Sequence, residues 1–496
     1  MKAFRSFPSL AFFGLFYLAF APMLPAQLFT NLYSFSVSDF SPPTNSDGAN
    51  PQAALILSGN TLYGTADHGG SSSNGSVFRI NIDGTAFTNL HSFGGLNVNN
   101  FIFTNNDGAN PQAGLVISGN TLYGTASGGG SSGNGVVFAV YTDGTGFTNL
   151  HTFSASDSGT NFDGSSPVAG LTLSGNKLYG TTSDGGSYRL GTIFAVDTDG
   201  TDFTNLHNFS PASGPPIAST NVDGADPAAG LVLSGNTLYG SAQRGGSSGV
   251  GSLFRVNTDG TDFTNLHNFS AGSEGVENGY PIITNNDGRL PMAGLVLSGI
   301  TLYGTAESGG NFGAGTVFAI NTDGTGFTNL HSFTYPETAG SNSDGAFPLA
   351  GLVLSGEKLY GTTDTGGSLN GGVIFALNTD GGGFTNLYNF TLSGGFSSEA
   401  GLILAGNTLF GTTTEGGKES AGTVFSLTLP LLPQLNIALA GANIILTWPT
   451  NATGFTLEST TNLMSPAVWS AISGQYAVTN PVAASQTFYR LRQTQP

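Results

Sequence analysis

Apolar and polar positions recur along this chain in one fixed order. From Ala113 the sequence runs through an apolar stretch (AGLVI), a Ser-Gly-Asn break, a second apolar stretch (TLYGTA) and a Gly-rich segment. A third apolar stretch (GVVFAV), an Asp-Gly break (YTDGTG) and a fourth stretch (FTNLHTF) follow. The block 113–153, 41 residues, returns at 53–93, 169–209, 229–269, 293–333 and 350–390. A phenylalanine stands 25 residues after each opening alanine, at Phe78, Phe138, Phe194, Phe254, Phe318 and Phe375. Between blocks the spacers run to 19, 15, 19, 23, 16 and 9 residues. A unit that admits no insertion, joined by spacers that do, reads as a structural repeat with loops between.

Each short apolar run has strand character. Gly-Asn between the first two runs (Gly59-Asn60, Gly119-Asn120, Gly175-Asn176, Gly235-Asn236, Gly406-Asn407) predicts a tight hairpin. Asp-Gly at Asp83, Asp143, Asp199, Asp259 and Asp323 predicts another between the third and fourth. Four antiparallel strands in roughly 40–45 residues is one propeller blade. A seventh block opens at Ala400 and carries Phe425, but where its fourth strand is due the sequence reads LPLLPQ, 429–434. Prolines end a strand. The missing stretch, FTNLYSF, stands at 29–35, preceded only by a hydrophobic leader. The expected fold is therefore all-β: a seven-bladed β-propeller over 27–429, closed by its own N-terminal strand. A β-solenoid, with coils of roughly 20–30 residues, fits the spacing poorly.

Both ends differ from the repeat. Residues 1–26 carry Lys2 and Arg5, an apolar run from Leu10 to Ala21 and a small residue at Ala26, the pattern of a secretory signal peptide. An uncleaved anchor is the alternative. No later stretch has the roughly 18 apolar residues of a spanning helix. Pro430 and Pro433 mark a linker, 430–434. In 435–496 the runs ANIILTW, GFTLEST, VWSAI and TFYRLR alternate apolar and polar residues, which predicts a small β-sandwich. Trp448 and Trp469 both lie here, read either as core or as a sugar-binding platform.

Charge narrows the functional classes. The formal charge is −18; removing the two bases of the leader makes it −20. So acidic a surface repels phosphate backbones and argues against nucleic acid. With no cysteine, thiol catalysis and Cys-based metal sites are excluded. A monomer is expected.

The strings GLVLSGNTLYG at 230–240 and GTVFAINTDGTGFTNLHSF at 315–333 resemble the GloVer tandem repeat of exported bacterial proteins, over roughly 27–429. The tail ending FYRLR resembles the fibronectin-like modules found at the C-terminus of such proteins. The resemblance implies export and surface display, with a choice of C-terminal anchors, and carries no catalytic residues. The order of runs also resembles quinoprotein-type propellers.

Candidate chemistry is thin. His91, His151, His207, His267 and His331 repeat at one position, where Tyr33 and Tyr388 replace them. Copies spread around a ring cannot converge on one metal, so they read as structural. The spacers carry N-x-D-G-x-x-P turns at Asn45 and Asp47, Asn105 and Asp107, Asn161 and Asp163, Asn221 and Asp223, Asn285 and Asp287, and Asn342 and Asp344. Two readings stand: calcium ligands, as at the start of calcium loops, or Asx turns holding a crossover. Gly-Gly pairs in the second-to-third loops lack the Lys-Ser/Thr of a phosphate cradle and read as bends. Their flanks vary between blades: Asp67, His68, Asp184, Tyr188, Arg189, Gln243, Arg244, Glu307, Asp364, Glu415 and Lys418. These loops and the spacers emerge on one face, which is where binding on a rigid scaffold is expected. The expected function is an exported, non-catalytic binding or adhesion protein, with extracellular carbohydrate favoured over a protein partner. A polysaccharide-active enzyme, glycosidase or lyase, is the competing class, with Glu274 and Glu277 as its best acid pair.

Overall fold

In the first block the four runs form strands Ile56–Ser58, Thr61–Ala66, Ser76–Asn81 and Thr88–Ser92, hydrogen-bonded in sequence order as one antiparallel sheet. A computed structural model describes residues 28–36, 44–99, 102–155, 160–214, 219–277, 279–337, 340–430, 435–441, 443–448, 455–461, 468–472, 477–481 and 487–493. Among these there is no helix, and seven such four-stranded sheets are present. The seventh takes Ile403–Ala405, Thr408–Thr413 and Thr423–Thr428 from its own block and Leu28–Ser34 as its fourth strand. The leader, 1–26, and most of the linker, 431–434, lie outside the described residues.

The turn chemistry holds in one place and needs correction in another. Ser58 pairs with Thr61 across Gly59-Asn60, and only Gly59 has positive φ (59°). Positive φ at the first central residue alone is the signature of a type II′ hairpin. The Asp-Gly connection is longer than a two-residue turn. It spans 82–87, with the Asp83 carboxylate accepting from the Thr85 backbone N–H (2.9 Å) and hydroxyl (2.6 Å). Asp83 thus uses its oxygens on its own loop, so the strands part earlier. Two spacers also hold hairpins, Asn97–Asn99 with Ile102–Thr104 and Ser273–Glu277 with Tyr280–Thr284; the second has Asn278-Gly279 at its bend.

Three sets of contacts join each sheet to the next, and each set returns to its start. In the interior, Phe93 packs edge-on against Phe138 (5.5 Å between centroids), and the same contact recurs through Phe390–Phe425 (5.3 Å) to Phe35–Phe78 (5.3 Å). Each such pair adds about 0.5–1.5 kcal/mol beyond its buried area. Space for it comes from a glycine: a Cβ on Gly64 would lie 2.7 Å from both the Phe78 ring and Leu55. Further out, His91 stacks on Phe147 (3.8 Å), a contact repeated by every histidine of the series. Tyr33 on Phe87 (3.8 Å) and Tyr388 on Phe29 (3.9 Å) complete it. Innermost, the buried Thr65 hydroxyl donates to the Ala113 carbonyl (3.0 Å). Thr125, Thr181, Ser241, Thr305 and Thr362 do likewise to Ala169, Ala229, Ala293, Ala350 and Ala400. Thr412 donates to Ala53 (3.2 Å).

The chain divides into two compact units, with 29–428 forming one. In the other, Asn436–Ala440, Asn443–Thr447 and Ala477–Pro481 form one three-stranded sheet, and Phe455–Thr460, Ser470–Ala471 and Phe488–Gln493 form a second. Leu446, Trp448, Leu457 and Val478 share a buried cluster. Trp448 is therefore core. Trp469 is half-buried, with the Arg490 guanidinium 4.1 Å over its ring, so one face is already covered by a cation. Arg490 in turn pairs with the buried Glu458 (2.8 Å).

Candidate binding site at the inner strands

The opening residues of all seven blocks, Ala-Gly-Leu in six and Ala-Ala-Leu (53–55) in the first, line one cavity of about 430 Å³. Backbones approach closely there: a Cβ on Gly170 would lie 3.3 Å from the Gly114 carbonyl oxygen, and one on Gly230 3.2 Å from that of Gly170. The residue preceding each opening alanine also faces this cavity: Gln52, Gln112, Val168, Ala228, Met292, Leu349 and Glu399. Glu399 is the one acid at that position.

Around Glu399 the variable loop residues assemble an acidic cluster. Burial, together with the charges of Asp364, Glu415 and Asp67, pushes the Glu399 carboxyl up to about 7, against a hydrogen bond from Thr414. Burial also raises Asp364, with Glu415 adding to it and Ser397 opposing. Glu307 is raised by burial and by Asp364, while Arg289 and Arg244 oppose. Asp226 is pushed up to about 6 by burial; Arg244, whose Nε lies 3.6 Å from its Oδ2, opposes this and Asp184 adds to it. Burial raises Asp184 as well, again opposed by Arg244. Asp67, only 2% exposed, pairs through Oδ2 with His68 Nδ1 (2.7 Å), which raises the imidazole, and its Oδ1 has no hydrogen-bond partner. Six of the seven blocks contribute to this linked set; the second, with Ser127 and Gly128 at these positions, does not.

The structure thus brings together Asp67, His68, Asp184, Arg244, Glu307, Asp364 and Glu415. Gln243 is half-buried beside them, its backbone N–H bonded to the Asp226 carbonyl (3.2 Å). Tyr188, Arg189 and Lys418 are exposed further along the loops and do not contribute to these shifts. Glu399, Asp226 and Arg289 were missed. Their signal lies in register: they stand one, three and four residues before an opening alanine, positions that hold Gln, Asn and Ala in the first block. Glu274 is exposed on the Ser273–Glu277 strand.

The N-x-D-G turns and the Gly-Gly bends prove to be halves of one device. Asn105 Oδ1 accepts from the N–H of Gly108 (2.9 Å) and of Gly130 (2.8 Å), and its amide donates to the Gly94 and Gly108 carbonyls. Asn45, Asn161, Asn221, Asn285 and Asn342 repeat this arrangement. A Cβ on Gly129 would sit 2.6 Å from Asn105 Oδ1, hence the glycine pair. The aspartates bond outward. Asp107 pairs with His91 (2.9 Å), Asp163 with His151 (3.0 Å), Asp223 with His207 (2.9 Å), Asp287 with His267 (3.1 Å), Asp344 with His331 (3.2 Å), and Asp47 with the Tyr33 hydroxyl (2.9 Å). Burial opposes charge on Asp163, Asp223 and Asp287, but the His and Ser donors outweigh it and hold these carboxyls below the usual range. As folded, the proposed calcium oxygens face N–H and O–H donors that a cation would have to displace. Among the described residues no group of three or more His, Asp or Glu is placed to hold a metal ion, and no helix is long and apolar enough to cross a membrane.

The Gloeobacter/Verrucomicrobia repeat family matches residues 97–278 and 279–439. No curated protein matches the chain. Among solved structures, similar chains occur in an oligogalacturonate lyase in complex with manganese (11% identity, 82% of this chain and 97% of that one, TM-score 0.40) and a putative 6-phosphogluconolactonase from Bacteroides uniformis (16%, 87% and 98%, 0.39). A nidogen/laminin complex contains another (16%, 57% and 79%, 0.33).

Proposed function

The chain belongs to the Gloeobacter/Verrucomicrobia repeat family, and from that premise we propose an exported, non-catalytic binding protein. Its 29–428 unit is a closed seven-bladed propeller, and its ligand engages the loop-rich face around Glu399. Three sheet-to-sheet contact series that each return to their start support the closure. The leader at 1–26 supports export.

One observation carries the binding reading. A scaffold that repeats its Phe, Thr and Gly positions almost without change abandons repetition where the inner loops meet, and places there a buried carboxylate oxygen with no partner, Asp67 Oδ1. Leaving such an atom unpaired costs about 1–3 kcal/mol or more, which a ligand hydroxyl or amine can recover. Extracellular carbohydrate is the favoured class, because sugar hydroxyls both donate to and accept from carboxyl groups.

A second reading has its own support. A carboxyl held near 7 beside further acidic side chains suits a general acid, so a polysaccharide-active enzyme is the alternative. Both are tested by mixing the intact protein with soluble polysaccharides and measuring heat of binding and new reducing or unsaturated ends. Binding without new ends is expected. New ends abolished by Glu399→Gln would replace the binding reading with catalysis, and absence of both would overturn it.

A further inference from the structure

We infer that a cleft between the Ser273–Thr284 hairpin and the spacer segment after Phe333 is a subsite for a neutral sugar chain, an inference that rests on the carbohydrate-binding reading above. Two adjoining hollows share Tyr335 and Glu337 and form one cleft. The larger has a volume of about 680 Å³, room for more than one sugar ring.

The walls combine what a pyranose presents. Tyr280 and Tyr335 lie 6.3 Å apart between centroids and 34° from parallel. Tyr280 stands on the hairpin with 51% of its surface exposed, so its ring is open to a ligand. Tyr335 is held by edge-on packing against Phe347 (6.0 Å, 89°), so its orientation is set before any ligand arrives. The C–H faces of a sugar stack on such rings, and its hydroxyls need polar partners around the edge. Glu277 and Glu337 supply carboxylate acceptors. Asn370 accepts from the Gly366 N–H through Oδ1 (3.0 Å), leaving its amide hydrogens as donors.

Charge selects among sugars. Two carboxylates in the cleft, on a chain of formal charge −18, disfavour uronic-acid polymers and favour uncharged ones. The cleft also adjoins the inner cluster, because the Asp364 N–H donates to the Phe347 carbonyl (3.1 Å).

The hairpin that carries Tyr280 arises in the longest spacer, 23 residues from 270 to 292. The test is calorimetric titration of the intact protein, wild type and variants, with neutral polymers (laminarin, xyloglucan, galactomannan) and polyanionic ones (pectate, alginate). Wild type is expected to bind a neutral polymer and neither polyanion. Tyr280→Ala is expected to weaken binding about tenfold, as for an aromatic anchor worth more than 1 kcal/mol, without shifting thermal unfolding, and Tyr280→Phe to keep it. Glu337→Gln, which leaves the packing intact, provides a second loss. Unchanged affinity in Tyr280→Ala and Glu337→Gln, with wild type binding, overturns the cleft and leaves the carbohydrate reading standing. Preference for pectate or alginate overturns the neutral class. Silence toward every polymer overturns both the cleft and the reading beneath it.

Discussion

The hydroxyl of Thr412 donates to the carbonyl of Ala53, 3.2 Å away and 359 residues distant along the chain. The same bond joins Thr65 to Ala113 over 48 residues. A bond with equal geometry at such unequal separations marks the junction of the last and first sheets as equivalent to every other junction. Thr412→Val and Thr125→Val should then cost the same, about 1–3 kcal/mol, because each strands a buried carbonyl. Urea unfolding should register both as shifts of one transition. A harmless Thr412→Val beside a costly Thr125→Val would mean that the last junction frays. Deleting 27–35 should lower the midpoint of the whole 29–428 unit; unchanged melting would sink the closure.

Each repeated histidine is clamped between a phenylalanine face and an aspartate. For Asp163, Asp223 and Asp287 the folded carboxyl lies below its ordinary value. A depressed folded value contributes stability that is present above the unfolded value, about 3.9, and is lost as pH falls through the folded one. Stability from these groups should therefore hold down to about pH 4 and decline below it. In Asp223→Asn this part of the acid decline should shrink, which stability curves between pH 2 and 6 will detect. An equally steep decline in that variant would remove Asp223 from the account.

Much of the fold was legible because the repeat is strict. The 25-residue interval to Phe78, and the Pro430 and Pro433 stop, were enough to place the Leu28–Ser34 strand in the seventh sheet. The site was only partly legible. The variable flanks pointed to Asp67, Asp364 and Glu307, since a charge among conserved-looking glycines stands out within one block. Glu399 escaped because spacer residues must be aligned backward from the next alanine, and in that frame its counterparts are glutamines and apolar residues. The link from Asn105 to Gly129-Gly130 escaped for another reason: both motifs repeat at a fixed separation of 25 residues, but fixed spacing alone does not say that the side chain of one bonds the backbone of the other. The hairpin at 273–284 had its signal in the sequence, Asn278-Gly279 at the bend, but Tyr335 lies in the next spacer, and nothing in the spacing places its ring beside Tyr280.

Asn105 also separates the two readings of the N-x-D-G turns. Its amide donates to two carbonyls while its oxygen receives two N–H groups. Asn105→Asp removes both donors and should cost about 1–3 kcal/mol, with or without calcium. A calcium loop would behave oppositely, gaining affinity from the extra carboxylate. Thermal unfolding of wild type and Asn105→Asp, in EDTA and in millimolar calcium, distinguishes the two. No response to calcium in either protein is expected; a calcium-dependent rise in Asn105→Asp or wild type would restore the metal reading.

Glu399 gives the last prediction, with the opposite sign to Asp223. Its folded value, about 7, stands above the ordinary value for glutamate, near 4.3. Between those limits the folded state binds more protons than the unfolded one, so stability falls as pH rises from about 4 through 7. Above pH 7 the ionised Glu399 faces Asp364, Glu415 and Asp67. Glu399→Gln removes that repulsion, and should stabilise the protein at pH 8 by about 1 kcal/mol, after allowing for solvent screening, while changing little at pH 5. Melting temperatures of both proteins at the two pH values measure the difference. Equal shifts at pH 5 and pH 8 would mean that Glu399 is ionised throughout, and would remove the protonated carboxyl from both the binding and the catalytic account of this site.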